Sequence, residues 1–227
     1  VSSHLSPRSI TRDLSQFRNI HKGATCLLVG NGANLHLTPP EWFDYPSFGM
    51  NTIHLYEHWK PTYYAAVDVR VMKDFGAAIM TRFADIPKFV PTPNLDKWQG
   101  GNFHRFFYRY GPVWRKAHGR IWNPDALERN IQYSSVMHVA MQIAFYMGFV
   151  TMLIIGMQHK PGAAHVHFWG ADKGMGVNHP LQSWLDGYEQ LVTDMRARGV
   201  KVINISEDTY VSESIIPRGN AREWRNN

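Results

Sequence analysis

The densest chemistry in this sequence lies in the stretch IIGMQHKPGAAHVHFWGADKG, where an apolar run ends at Gly156 and Gln158, His159, Lys160, His165, His167, Asp172 and Lys173 follow. A histidine beyond a strand end is suited to general-base work, because its unperturbed pKa lies near neutrality. His165 and His167 alternate on an extended stretch and so point to opposite sides, a poor arrangement for ligating one metal together. Cys26 is the single cysteine and the carboxylates are scattered, so no metal site is expected. For any one of the twelve histidines a polar loop position is the default, and His167 stands out by its neighbours.

Other polar residues fall just after apolar runs. In CLLVGNGANLHL the run stops at Gly30-Asn31-Gly32. Glycines there would let the backbone approach a phosphate or base with free N–H groups, and Asn31 and Asn34 add donors and acceptors. The pattern is neither GxGxxG nor a Walker loop, and Asn-Gly after a strand is equally a hairpin signal. Asn51 follows FGM, and Asp68 ends the run in YYAAVDVRV. Both would face the crevice at the carboxyl ends of parallel strands, or each would serve as a cap or turn residue. In NIQYSSVMHV, Ser134 or Ser135 is a helix N-cap, worth about 1 kcal/mol, at a helix start that can also receive an anion. Arg129, just upstream, could grip a phosphate or carboxylate with two parallel bonds.

These residues need a scaffold that brings strand ends together. Apolar runs predict strands at 25–29, 46–50, 63–67, 88–90, 151–155 and 201–205, most of them continuous, as expected for strands covered on both faces. From Ser135 the apolar positions Val136, Val139, Ala140, Ile143, Ala144 and Met147 form one helical face ending at Gly148. A second helix runs from about Leu181 to Arg198, stopped by Gly199. Each is followed at once by a strand. The rhythm predicts an α/β fold, a Rossmann-like, mostly parallel sheet with helices on both faces.

A polar leader and short helix occupy residues 1–22, with helix expected near 9–19. A single nucleotide-binding domain spans 23–217 and a tail 218–227. The segment at about 91–124, rich in Pro and Gly, reads as an irregular insertion or lid within that domain. It contains HRFFYRYGPVWRKAHGR, where aromatics interleave with Arg and Lys, either a solvated insertion or a contact for an anion.

With 44% hydrophobic and 19% charged residues over 227 positions, the chain can pack one sizeable core, and wholesale disorder is excluded. The +6 formal charge favours anionic partners such as nucleotides. No apolar run reaches the ~18 residues of a membrane span, and no signal-peptide pattern is present. The expectation is a soluble, cytoplasmic protein without stable membrane insertion.

FRNIHKGATCLLVGNGANL and FGMNTIHLYEHWKPTYYAAVD resemble the opening of the MAF/6-hydroxymethylpterin pyrophosphokinase-like proteins. These share a Rossmann-like fold with the bacterial sialyltransferases of the Campylobacter type. The helix YSSVMHVAMQIAFYMGF, the strand VTMLIIGMQ, the HVHFWGADKG loop and the final helix–strand pair follow in matching order, so the resemblance covers about residues 15–217. It implies a nucleotide held by Gly30, Asn31, Gly32 and Asn51, with Ser134 or Ser135 close by. Asn34, Asp68, Gly156 and Gln158 complete the expected nucleotide site. A histidine after Gly156 would deprotonate the acceptor hydroxyl, His167 being the first choice and His165 the second. Tyr108 or Tyr110, with Arg129 and Lys173, would stabilise the leaving phosphate without an essential metal.

Three departures stand out. Ala33-Asn34 replaces the family's Pro-Ser, Gln158 stands where Asp is common, and the sialyltransferase histidine aligns nearer Ala171 than His167. The expected function is a glycosyltransferase using a nucleotide-sugar donor and a hydroxyl-bearing acceptor, with no required cofactor. The alternatives are Mg-dependent diphosphate transfer from ATP to a hydroxymethylpterin, which would call on Asp68 and Asp172, or a non-catalytic nucleotide- or nucleic-acid-binding module. Nucleic acid is the less favoured partner, and a homo-oligomer is left open.

Overall fold

The computed structural model describes residues 14–91, 103–106, 108–110, 122, 124, 127, 131–133, 135–160, 166–171 and 181–226. Its centre is a seven-stranded sheet, all of whose neighbouring pairs are parallel. The strands are β1 (Thr25–Val29), β2 (Ser47–Met50), β3 (Tyr63–Ala65), β4 (Lys88–Pro91), β5 (Phe103–Phe106), β8 (Thr151–Ile155) and β11 (Lys201–Asn204), in the spatial order β11-β8-β1-β2-β3-β4-β5. Two short pairs lie outside it. β6 (Tyr108–Tyr110) runs parallel to β7 (Ile131–Tyr133), and β9 (Val166–His167) forms an antiparallel hairpin with β10 (Gly170–Ala171).

The alternation of side chains across the sheet builds two apolar layers. Cys26, Leu28, Met152, Ile154 and Val202 face one side, where α2 (Val136–Tyr146) and α3 (Leu181–Ala197) supply Val139, Ile143, Leu191 and Met195. Leu27, Val29, Leu153 and Ile155 face the other, covered by α1 (Val69–Arg82) through Val71 and Ile79 and by Leu35 and Ile53. The fold is therefore α/β with helices on both faces. Burying each large side chain contributes roughly 1.5–3 kcal/mol, so β1 and β8, apolar on both sides, anchor the centre.

Several local expectations need correction. The helix expected through residue 19 is, in its described part, one 3-10 turn at Ser15–Phe17, ended by the extended backbone of Arg18. α1 was not foreseen. The insertion is not wholly irregular, because Phe103–Phe106 adds the edge strand of the sheet. His104 there is buried, its ring edge-on to Phe17 at 4.5 Å and its Nδ1 3.1 Å from Gln16 Nε2, so this part of the basic-aromatic stretch serves packing.

Among the described residues, no helix is long and apolar enough to cross a membrane.

Candidate functional site at the strand carboxyl ends

The chain runs outward from β1 through β2, β3 and β4 to β5, then returns to place β8 and β11 on the other side of β1. The order of connection reverses between β1 and β8, where parallel α/β sheets open a crevice at their carboxyl ends. Gly30, Asn31, Gly32, Asn51, Gly156 and Gln158 all lie at this edge. The hairpin reading of Gly30-Asn31-Gly32 is excluded, because β1 pairs in parallel with both β2 and β8 and the chain enters a 3-10 helix at Ala33–Leu37.

The glycines are needed for a different reason than expected. Gly30 donates its N–H to Ile155 O at 2.9 Å and Gly32 donates to Gly156 O at 2.8 Å, so these N–H groups are already engaged. A Cβ on Gly30 would stand 2.6 Å from Gly156 O, and Gly156 itself has φ 66°. Two strand ends approach here more closely than side chains allow.

Asn31 is the junction of the site. Its Nδ2 donates to Met50 O at 2.9 Å, and because a carbonyl only accepts, the amide orientation is set. Its Oδ1 is buried and has no hydrogen-bond partner among the described residues. Its main-chain carbonyl accepts the Phe168 N–H at 3.1 Å and faces His167 Nδ1 at 3.3 Å. His167 also bridges to Gly32, and its ring lies parallel to Trp169 at 4.2 Å and 12°. The structure thus brings the histidine loop onto the Gly-Asn-Gly loop. A carbonyl only accepts, so an imidazole bonded to it through Nδ1 carries a proton on that nitrogen.

Asn51 sits at φ 44°, its Oδ1 accepting from Val67 N–H at 3.4 Å and its carbonyl from the Tyr64 hydroxyl at 2.6 Å. His159 at φ 52° and Asp208 at φ 46° share this left-handed conformation, after β8 and β11 respectively. Such backbone costs about 1–3 kcal/mol and gathers at functional edges.

Three expected site residues have internal duties. Asp68 is the N-cap of α1, taking the Arg70 N–H at 2.8 Å and pairing with the Arg70 guanidinium at 2.7 Å. Burial raises its pKa, but the hydrogen bonds and charge of Arg70 outweigh this and leave it lowered. Asn34 donates to Glu207 O at 2.6 Å, and Gln158 donates to Asp208 Oδ2 at 2.8 Å while accepting the Tyr210 N–H at 2.9 Å. These two staple the loop after β11 to the loops after β1 and β8.

Ser135 stands at the start of α2 but does not cap it with its side chain. Its Oγ lies 2.8 Å from His138 Nδ1 and 2.8 Å from the Tyr188 hydroxyl, whose rings stack at 4.1 Å and 2°. Burial, then the charge of His159, holds the His138 pKa down at about 3, against the Trp184 backbone, so the ring is neutral at ordinary pH. Gly187 makes room for it, since a Cβ there would stand 2.6 Å from His138 Nε2. His159, one of the polar residues that follow Gly156, tilts against Trp184 at 5.6 Å and against Tyr188 at 5.8 Å, whereas His138 and Tyr188 are not among the expected site residues.

Tyr108 and Tyr110 belong to β6, opposite Ile131 and Tyr133 of β7, with their side chains outside the described set. Ser134, Arg129, His165, Asp172 and Lys173 also lie outside the described residues. Among those described, no group of three or more His, Cys, Asp or Glu side chains is placed to hold a metal.

The sequence matches no protein-family model and no curated protein. The fold does have solved counterparts. The MAf glycosyltransferase from Magnetospirillum magneticum is similar over 92% of this chain, at TM-score 0.59 and 10% identity, with this chain spanning 35% of that larger protein. The sialyltransferase CstII from Campylobacter jejuni, solved with cytidine-5'-monophosphate, is similar over 91% of this chain and 88% of its own, at TM-score 0.56 and 13% identity. Its complex with CMP-3FNeuAc gives TM-score 0.55 and 10% identity over 90% and 88% of the two chains. At these identities the likeness is one of fold. None of the three is a pyrophosphokinase, so that half of the family resemblance gains no support.

Proposed function

We propose that the protein is a glycosyltransferase that takes a nucleotide-activated sugar, with a CMP-sugar the first candidate, and uses His167 as its base. The observation that carries this reading is the His167 imidazole directed at the Asn31 carbonyl at 3.3 Å, on the carboxyl edge of the sheet. A backbone carbonyl that accepts from Nδ1–H orients the imidazole, and in this reading Nε2 is the atom that takes the proton. The acceptor hydroxyl oxygen bonds to the anomeric carbon, and the bond from that carbon to the phosphate oxygen breaks with its electron pair leaving on the nucleotide. The hydroxyl proton passes to His167 Nε2. Positioned general-base catalysis of this kind contributes about 10²–10⁴-fold.

The nucleotide lies across the ends of β1, β2 and β8, by Asn31, Asn51 and Ser135. The buried Asn31 Oδ1 carries a cost of about 1–3 kcal/mol that a ligand N–H or O–H would relieve. Support for a cytidine nucleotide comes from the fold shared with CstII, solved with CMP and CMP-3FNeuAc. The metal-dependent diphosphate transfer is the weaker reading, because Asp68, one of the two carboxylates it would need, is engaged by Arg70.

A thermal-shift comparison of CMP, UDP, GDP and ATP, with and without Mg²⁺, tests the reading. At 100 times its dissociation constant a nucleotide stabilises by about 2.7 kcal/mol. CMP should shift the melting temperature without Mg²⁺. A shift confined to ATP with Mg²⁺ would instead support diphosphate transfer.

A further inference from the structure

The β9–β10 hairpin turns over Phe168-Trp169, and its two tip rings point to different surroundings. Phe168 faces inward, donating its N–H to Asn31 O at 3.1 Å and meeting the Tyr56 ring edge-on at 5.4 Å. Trp169 faces outward. It remains 37% exposed and lies parallel to His167, with centroids 4.2 Å apart. The Asn31 carbonyl meets the edge of the imidazole at Nδ1, and the Trp169 indole covers one of its faces.

A singly exposed aromatic needs no explanation on its own. This one, however, lies flat against one face of the proposed base. The transfer proposed above puts the nucleotide at the strand ends, and displacement at the anomeric carbon brings the acceptor from the opposite side. Whatever delivers its hydroxyl to His167 Nε2 comes beside the indole, which lies parallel to the imidazole 4.2 Å away. A flat, rigid, amphipathic ring binds a partner having both an apolar face and polar edges. A pyranose, with C–H groups on one face and hydroxyls at its rim, is such a partner.

We propose that Trp169 is an acceptor-side platform that stacks against the C–H face of a pyranose, so that the acceptor is a saccharide and not a small aliphatic alcohol. The inference rests on the assignment of His167 as base and on the nucleotide lying at the strand ends.

The test combines saturation-transfer NMR, using methyl β-D-galactopyranoside and lactose as probes, with CMP thermal shifts on the wild type, Trp169→Leu and Trp169→Phe. The wild type should saturate the C–H protons of at least one sugar. Trp169→Leu should weaken that contact about five- to tenfold, and Trp169→Phe should retain most of it. Trp169→Leu should keep the wild-type CMP shift, which also shows that it folds. An unchanged sugar signal in Trp169→Leu overturns the proposal, as does no sugar signal from the wild type. So does a loss of CMP affinity in Trp169→Leu, which would place the indole on the nucleotide side. Failure of the wild type to bind any nucleotide would overturn the donor reading instead, while the sugar arm still reports on Trp169.

Discussion

His167 Nδ1 stands 3.3 Å from the main-chain oxygen of Asn31, across 136 positions of sequence, and the neighbouring Phe168 N–H bonds to the same oxygen at 3.1 Å. One carbonyl thus seats the histidine loop and orients its imidazole. The loop after β1 is the wall against which this side chain is set.

Gly187 offers a test of sign. In most helix interiors Gly→Ala stabilises by about 0.5–1 kcal/mol. Here the new methyl would stand 2.6 Å from His138 Nε2, inside a buried stack. Gly187→Ala should destabilise by about 1–3 kcal/mol in urea unfolding, and adding His138→Ala should recover much of the loss.

Gly156 tests the close approach of the two strand ends. With φ 66° and the Gly30 backbone against it, Gly156→Ala should cost about 1–3 kcal/mol by denaturant unfolding. Gly23, at φ 82° with open space around it, should lose about 1 kcal/mol from the backbone conformation alone when changed to Ala.

Lys88 should make stability rise with pH. It is buried at the start of β4, with Nζ donating to Ile86 O at 3.0 Å. Burial holds its pKa down to about 8, with Asp85 pulling it up and Lys60 adding to the lowering. The unfolded chain therefore binds more protons than the folded one between pH 8 and the ordinary lysine pKa of 10.5. The penalty is fully present below about pH 8 and is relieved as pH rises through this window. Unfolding free energy, measured at pH 7.5 and 9.5, should rise relative to Lys88→Met, in which the slope is lost.

The sheet was largely legible in the sequence. β1 and β8 coincide with the apolar runs at 25–29 and 151–155 because strands covered on both faces need unbroken hydrophobicity. α1 escaped although Lys73 and Asp74 fall on its exposed face, because Gly76 lies within it and of its side chains only Val71 and Ile79 are buried. β5 escaped because HRF reads as basic surface, while the edge position buries His104 against Phe17.

The position of the candidate residues at the strand ends was legible, and their partners were not. Gly30 and Gly32 lie at the crevice, but their glycine requirement comes from Gly156, a partner that only the fold supplies. Asn34 reads as a ligand-facing amide, whereas its bond to Glu207 O joins residues 173 positions apart. His167 was singled out by its neighbours, and Asn31 as the residue opposite it appears only in three dimensions.

The central claim is that His167 removes the acceptor proton during transfer from a nucleotide-activated sugar. The most direct measurement is steady-state CMP release from a CMP-sugar with a saccharide acceptor, for the wild type and His167→Asn, alongside CMP affinity for both. The wild type should turn over, His167→Asn should lose about 10²–10⁴-fold, and CMP affinity should change little. Turnover by His167→Asn at the wild-type rate would contradict the claim.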